Sequence, residues 1–68
     1  MEKDWALIYS ATDELMIEMV KQILEENRIE AVILNKKDRA YLFGDLELYV
    51  NRDSVIRAKS VIKEVLGE

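Results

Sequence analysis

The sequence predicts an α+β domain of order β-α-β-β-α, a split β-α-β arrangement with a three-stranded sheet in strand order 1-3-2 and two helices on one face. Three observations predict it. Trp5 to Ser10, Glu30 to Asn35 and Leu46 to Val50 are short runs rich in β-branched, aromatic and aliphatic residues. Two intervening stretches repeat apolar residues at helical spacing. A strand–helix–strand crossover is right-handed in nearly all cases, which leaves the third strand either at an edge or inserted between the first two. Insertion is preferred, because Leu46, Leu48 and Val50 then meet both helices.

The first strand, "WALIYS", is apolar on both faces and ends at a polar cluster. Thr12 or Asp13 can cap the helix that follows, in which Leu15, Met16, Met19, Val20, Ile23 and Leu24 form an apolar stripe. Glu14, Glu18, Lys21, Gln22 and Glu25 take the other face. The helix should stop near Asn27 and Arg28, since asparagine tolerates the left-handed conformation that a helix end commonly needs. "EAVILN" reads as the second strand. In "LELYV" the alternation sends Leu46, Leu48 and Val50 inward and Glu47 and Tyr49 outward. Asn51 or Asp53 can cap the last helix, whose Val55, Ala58, Val61, Ile62, Val65 and Leu66 share a face. No helix remains for the opposite side of the sheet. Tyr49 and either Trp5, Leu7 and Tyr9 or Ala6 and Ile8 must point there, and so apolar an open face marks an interface.

With 68 residues, no proline and glycine only at positions 44 and 67, residues 1–68 read as a single domain without a linker. Such a chain buries only about 60% of the surface it exposes when unfolded, so stability is marginal or helped by self-association. Cysteine and histidine are both absent. That removes disulfides, thiolate chemistry, and the commonest zinc, haem and acid–base residue. A net charge of −4 disfavours general nucleic-acid binding and anionic lipid. No stretch approaches the ~20 apolar residues of a spanning helix, so a cytoplasmic protein is expected, with no membrane attachment.

Ile8-Tyr9-Ser10, the stretch "DELMIEMVKQILEENRIEAVILNKKD", Tyr41-Leu42-Phe43-Gly44 with "LELYV", and Ala58 together resemble a family of small bacterial domains named putative prokaryotic signal-transducing proteins. The resemblance runs from Trp5 to Leu66. It implies a ferredoxin-like, GlnB-like fold, grouped with the PII regulators, and no particular reaction. Where the family usually has glycine after the first helix this chain has Arg28, and where it often has proline before the last helix this chain has Asn51. In PII regulators the loop between strands 2 and 3 binds effectors and targets. "KKDRAYLFGD" holds the corresponding place, is much shorter, and shows no residue-by-residue match to the PII nucleotide site.

That loop, residues 36–45, is longer than common hairpin loops. Tyr41 and Phe43, with Tyr49 and Trp5, are the candidate partner-binding residues. An early start of strand 3 would instead place Leu42 and Gly44 in the inward register, with Tyr41, Phe43 and Tyr49 together on the open face. Lys36, Lys37 and Arg39 form a local positive patch that, with Arg52, can hold an anion; the plainer reading is a solvated loop. Asp45 and Glu47 supply too few oxygens for a hard cation, so no metal and no cofactor are expected. Ser10, Ser54 and Ser60 have no histidine to activate them, and the lysines lie on charged surface, so no enzyme activity is expected.

The expectation is a small interaction or signalling module, a homodimer or a binder of a protein partner, acting through the open sheet face and the strand 2–3 loop. The alternative is a PII-like sensor of a small anionic ligand; a purely structural accessory domain is a third reading.

Overall fold

The structure is a computed structural model and describes residues 4–35 and 46–67. Its elements are β1 (Trp5–Ala11), α1 (Glu14–Glu26), β2 (Ala31–Asn35), β3 (Leu46–Asn51), a 3-10 turn (Arg52–Ser54) and α2 (Val55–Leu66). The sheet order is β1-β3-β2, with β3 antiparallel to both neighbours. This is the split β-α-β arrangement expected from the inward alternation of β3. Leu46, Leu48 and Val50 are each buried to within 2% of complete.

Both helices lie against the face that these three residues define. Ile17, Val20 and Leu24 of α1, Ala58 and Ile62 of α2, and Ile29 and Ala31 complete the core. The expected α1 stripe is only partly right. Ile17 is fully buried, while Leu15 is 82% and Met19 43% exposed. Seven of the thirteen α1 residues are apolar. They cover more than one helical face, so periodicity alone does not select the buried line, which runs i, i+3, i+7 through Ile17, Val20 and Leu24. In α2, Val65 is likewise 41% exposed, whereas Val55, Val61 and Leu66 pack on the core.

Local chemistry sets the ends of the helices. Asp13 caps α1, its Oδ1 accepting from the Leu15 N–H at 2.9 Å. At the other end the Arg28 N–H donates to the Glu25 carbonyl (3.0 Å) and the Ile29 N–H to the Leu24 carbonyl (2.9 Å). This is the Schellman pattern, with Ile29 packed near Leu24 in the core as the motif's apolar contact. It requires a left-handed residue, and Arg28 takes it at φ 62°. The Arg57 guanidinium of α2 donates to the Asn27 carbonyl, placing a cation at the negative end of α1 and tying the two helices together. Asn51 caps the 3-10 turn, its Oδ1 accepting from the Asp53 N–H at 3.1 Å, and neither it nor Asp53 caps α2 as expected, because the turn intervenes and Ser54 takes the cap position without a side-chain bond. Gly67 ends α2 in the left-handed region at φ 73°.

The β1–β3 register is broken once. Leu7 lies opposite Tyr49 and Tyr9 opposite Leu48, so Ile8 is an extra residue, a β-bulge.

Because Arg28 holds a conformation that favours glycine, Arg28→Gly should stabilise the domain by about 0.5–1 kcal/mol, the strain relieved less the added unfolded-state entropy. Thermal unfolding should show a midpoint a few degrees higher. An unchanged or lower midpoint would mean that the Arg28 side chain contributes more than its backbone costs.

Candidate functional site: the open sheet face

Residues directly opposite one another on antiparallel neighbours share a sheet face. Tyr49 of β3 lies opposite Leu7 of β1 and Val32 of β2; Glu47 lies opposite Ser10 and Leu34; Asn51 lies opposite Trp5. These residues therefore occupy the face that carries no helix. Trp5, Leu7, Val32, Leu34 and Tyr49 make it apolar from edge to edge, and Leu7 is 48% exposed.

The bulge decides which β1 residues belong there. Trp5 and Leu7 point to the open face, as one of the two alternatives required, but Tyr9 does not accompany them. It lies opposite Leu48 and packs on the core with Ile8. An inserted residue shifts the alternation by one position, so no single odd or even set describes the strand.

Tyr49 and Glu47 stand two apart on β3 and are joined: the Tyr49 hydroxyl donates to Glu47 Oε1 at 2.8 Å. That hydrogen bond, then desolvation and the nearby carboxylate charge, push the Tyr49 hydroxyl above its ordinary value of 10.0. The ring is thus held by its polar end while its apolar body lies across the middle strand, the form of an interface anchor.

Of the other candidate residues, Tyr41, Phe43, Lys36, Lys37 and Arg39 lie outside the described residues, as do Leu42, Gly44 and Asp45. Arg52 is exposed in the turn that follows β3. Its backbone N–H donates to the Asp4 carbonyl at 2.7 Å, continuing the β1–β3 pairing past Trp5. Residues 36–45 join the sheet at the other end of β3, at Leu46. Val32 and Leu34 were not singled out from sequence: "AVIL" has no polar position to mark a face, and only the register with β3 assigns one.

Among the described residues there is no group of three or more carboxylates that could hold a metal ion, and no helix is long and apolar enough to cross a membrane. Fold and surface together define a small α+β domain whose described residues cover one sheet face and leave the other open. The chain belongs to the family described as "Putative prokaryotic signal transducing protein", whose model matches residues 5–65. No curated protein and no solved structure matches it.

The Tyr49–Glu47 bond makes alkaline stability a readout of this face. As pH climbs past about 10 the unfolded chain releases the Tyr49 proton before the folded chain does. The contribution is therefore intact below that pH and is lost as pH rises through the higher folded value. Glu47→Ala should return the Tyr49 titration toward the ordinary tyrosine range, measured by phenolate absorbance, and shift the onset of alkaline destabilisation. A titration that stays where it was would remove Glu47 as the cause.

Proposed function

We propose that this domain is a non-enzymatic interaction module of a signalling system, binding another protein surface, a second copy of itself included, through the open sheet face. The observation that carries the reading is the apolar strip of Trp5, Leu7, Val32, Leu34 and Tyr49, with one ring fixed in place by a hydrogen bond. Large apolar groups on one exposed surface are what interface anchors require. The family's name points to signal transduction, and a module that couples partners without chemistry agrees with a chain that has neither histidine nor cysteine. Tyr41 and Phe43 are included in the proposal on the sequence alone.

The reading as a PII-like sensor of a small anionic ligand has less support. Arg52, one of its four cations, lies at the end of β3 away from Leu46, where the chain segment carrying the other three joins the sheet. A thermal-shift screen with nucleotides and common anionic metabolites separates the two readings, because a ligand at ~100 times its dissociation constant stabilises by about 2.7 kcal/mol.

The test of the interface is the double substitution of Trp5 and Tyr49 by alanine. Anchors of this kind cost about 2 kcal/mol or more when truncated, roughly thirtyfold in affinity. Sedimentation should show the parent chain as a dimer or larger species at high micromolar concentration and the variant shifted to monomer, with cooperative unfolding retained. Equal sedimentation of the two proteins, together with equal recovery of bound protein from bacterial extract, would overturn the assignment of this face.

A further inference from the structure

The sheet leaves a second surface open, the outer edge of β1. Among the described residues β1 is paired on one side only, by β3. Its seven residues, WALIYSA, contain no charged side chain and no proline, two devices that commonly keep an edge strand from recruiting another. The bulge at Ile8 is one such device, and it interrupts the strand between Leu7 and Tyr9.

A cleft of about 420 Å3 runs along this edge, lined by Leu7, Ile8, Tyr9, Ser10 and Lys59. Leu7 and Ser10 belong to the open face and Tyr9 to the core face, yet no β3 residue contributes. The cleft therefore lies beside the strand and not over the sheet, and α2 forms its other wall through Lys59. Lys63, one turn further along α2, extends the same flank. Neither lysine forms an ion pair among the described residues. In a chain of net charge −4, this flank is locally positive.

We propose that the free edge of β1 accepts an extended acidic segment of another protein as a fourth strand, with backbone hydrogen bonds to β1 and carboxylates facing Lys59 and Lys63. Backbone pairing supplies affinity in such strand addition, and the side chains of alternate residues supply specificity. A second copy of this chain is a poorer occupant. Two β1 strands paired antiparallel about a two-fold axis would set two α2 flanks beside each other, each bearing Lys59 and Lys63, and like charges oppose that approach. The inference goes beyond the open-face reading because it uses a different surface and a different kind of contact.

The test is selection of random ten-residue peptides, displayed on phage, against the full chain. Enriched peptides should carry Asp or Glu at alternate positions. N-methylation of one alternate set of amides in a selected peptide should weaken binding at least about tenfold, while methylation of the other set leaves it nearly unchanged, since an edge-paired strand donates through every second amide. Lys59→Glu should weaken binding by a similar factor and remove its salt dependence. Tyr49→Ala should leave binding intact, which keeps this test separate from that of the open face. Absence of enrichment, indifference to N-methylation, selection of basic peptides, or loss of binding in the Tyr49 variant would each overturn the proposal. So would displacement of the peptide by untagged chain, which would put a second copy at the edge.

Discussion

The fold depends on one strand with two neighbours and one covered face. β3 is the middle of the sheet, and its inward residues, Leu46, Leu48 and Val50, are where both helices and both outer strands converge. Burying each such side chain contributes roughly 1.5–3 kcal/mol. In a domain this small those contacts are a large share of what opposes chain entropy. The same arrangement sets the limit of the molecule. Two helices can cover one side of three strands, so among the described residues no helix or further strand covers the outward residues of β3 and their lateral neighbours.

The architecture was legible in the sequence because β3 alternates without exception from Leu46 to Val50. A strict period of two identifies a half-covered strand, and the central position follows from the need to bring its apolar side to both helices. The helix ends were legible in part. Asp13 has a short side chain that accepts from the backbone two residues on, and the turn closing α1 requires a left-handed residue, which is Arg28; Asn51 caps the 3-10 turn, and α2 itself begins after Ser54 without a side-chain cap. The buried line of α1 was not legible. Where apolar residues surround a helix, tertiary packing chooses among them, and here it buries Ile17, which the spacing does not single out, and leaves Leu15 facing outward. Ile29 was missed because it lies outside any periodic segment; its burial comes from the turn that closes α1.

The candidate site was legible in part, and one extra residue explains the rest. A strand with polar gaps announces its register, whereas "WALIYS" has none before Ser10 and permits either face. The bulge at Ile8 uses both options in succession. Ahead of it Trp5 and Leu7 look outward, and after it Tyr9 turns into the core. Short-range pattern holds no trace of such an insertion, because the partner strand, not the bulged one, determines where pairing resumes. A similar argument covers Lys59. Its role as one wall of the edge cleft follows from α2 lying over β1, a tertiary fact absent from the helix's own spacing.

The two open surfaces are adjacent, and their sizes bear on the binding proposed for each. Strands lie about 4.8 Å apart and rise about 3.3 Å per residue, so three strands of five to seven residues present a face of only roughly 300 Å2 in projection. A stable interface takes about 800 Å2 from each partner, while weak signalling encounters need less. The open face alone therefore suits a short-lived contact. Leu7 and Ser10 belong to that face and also line the edge cleft. A partner that lays a strand against β1 and continues beneath the sheet would cover Leu7 from both directions, adding directional backbone bonds to a non-directional apolar contact. The apolar strip would then supply the area and the free edge the register, a division that would let a domain of 68 residues select a partner without a deep pocket.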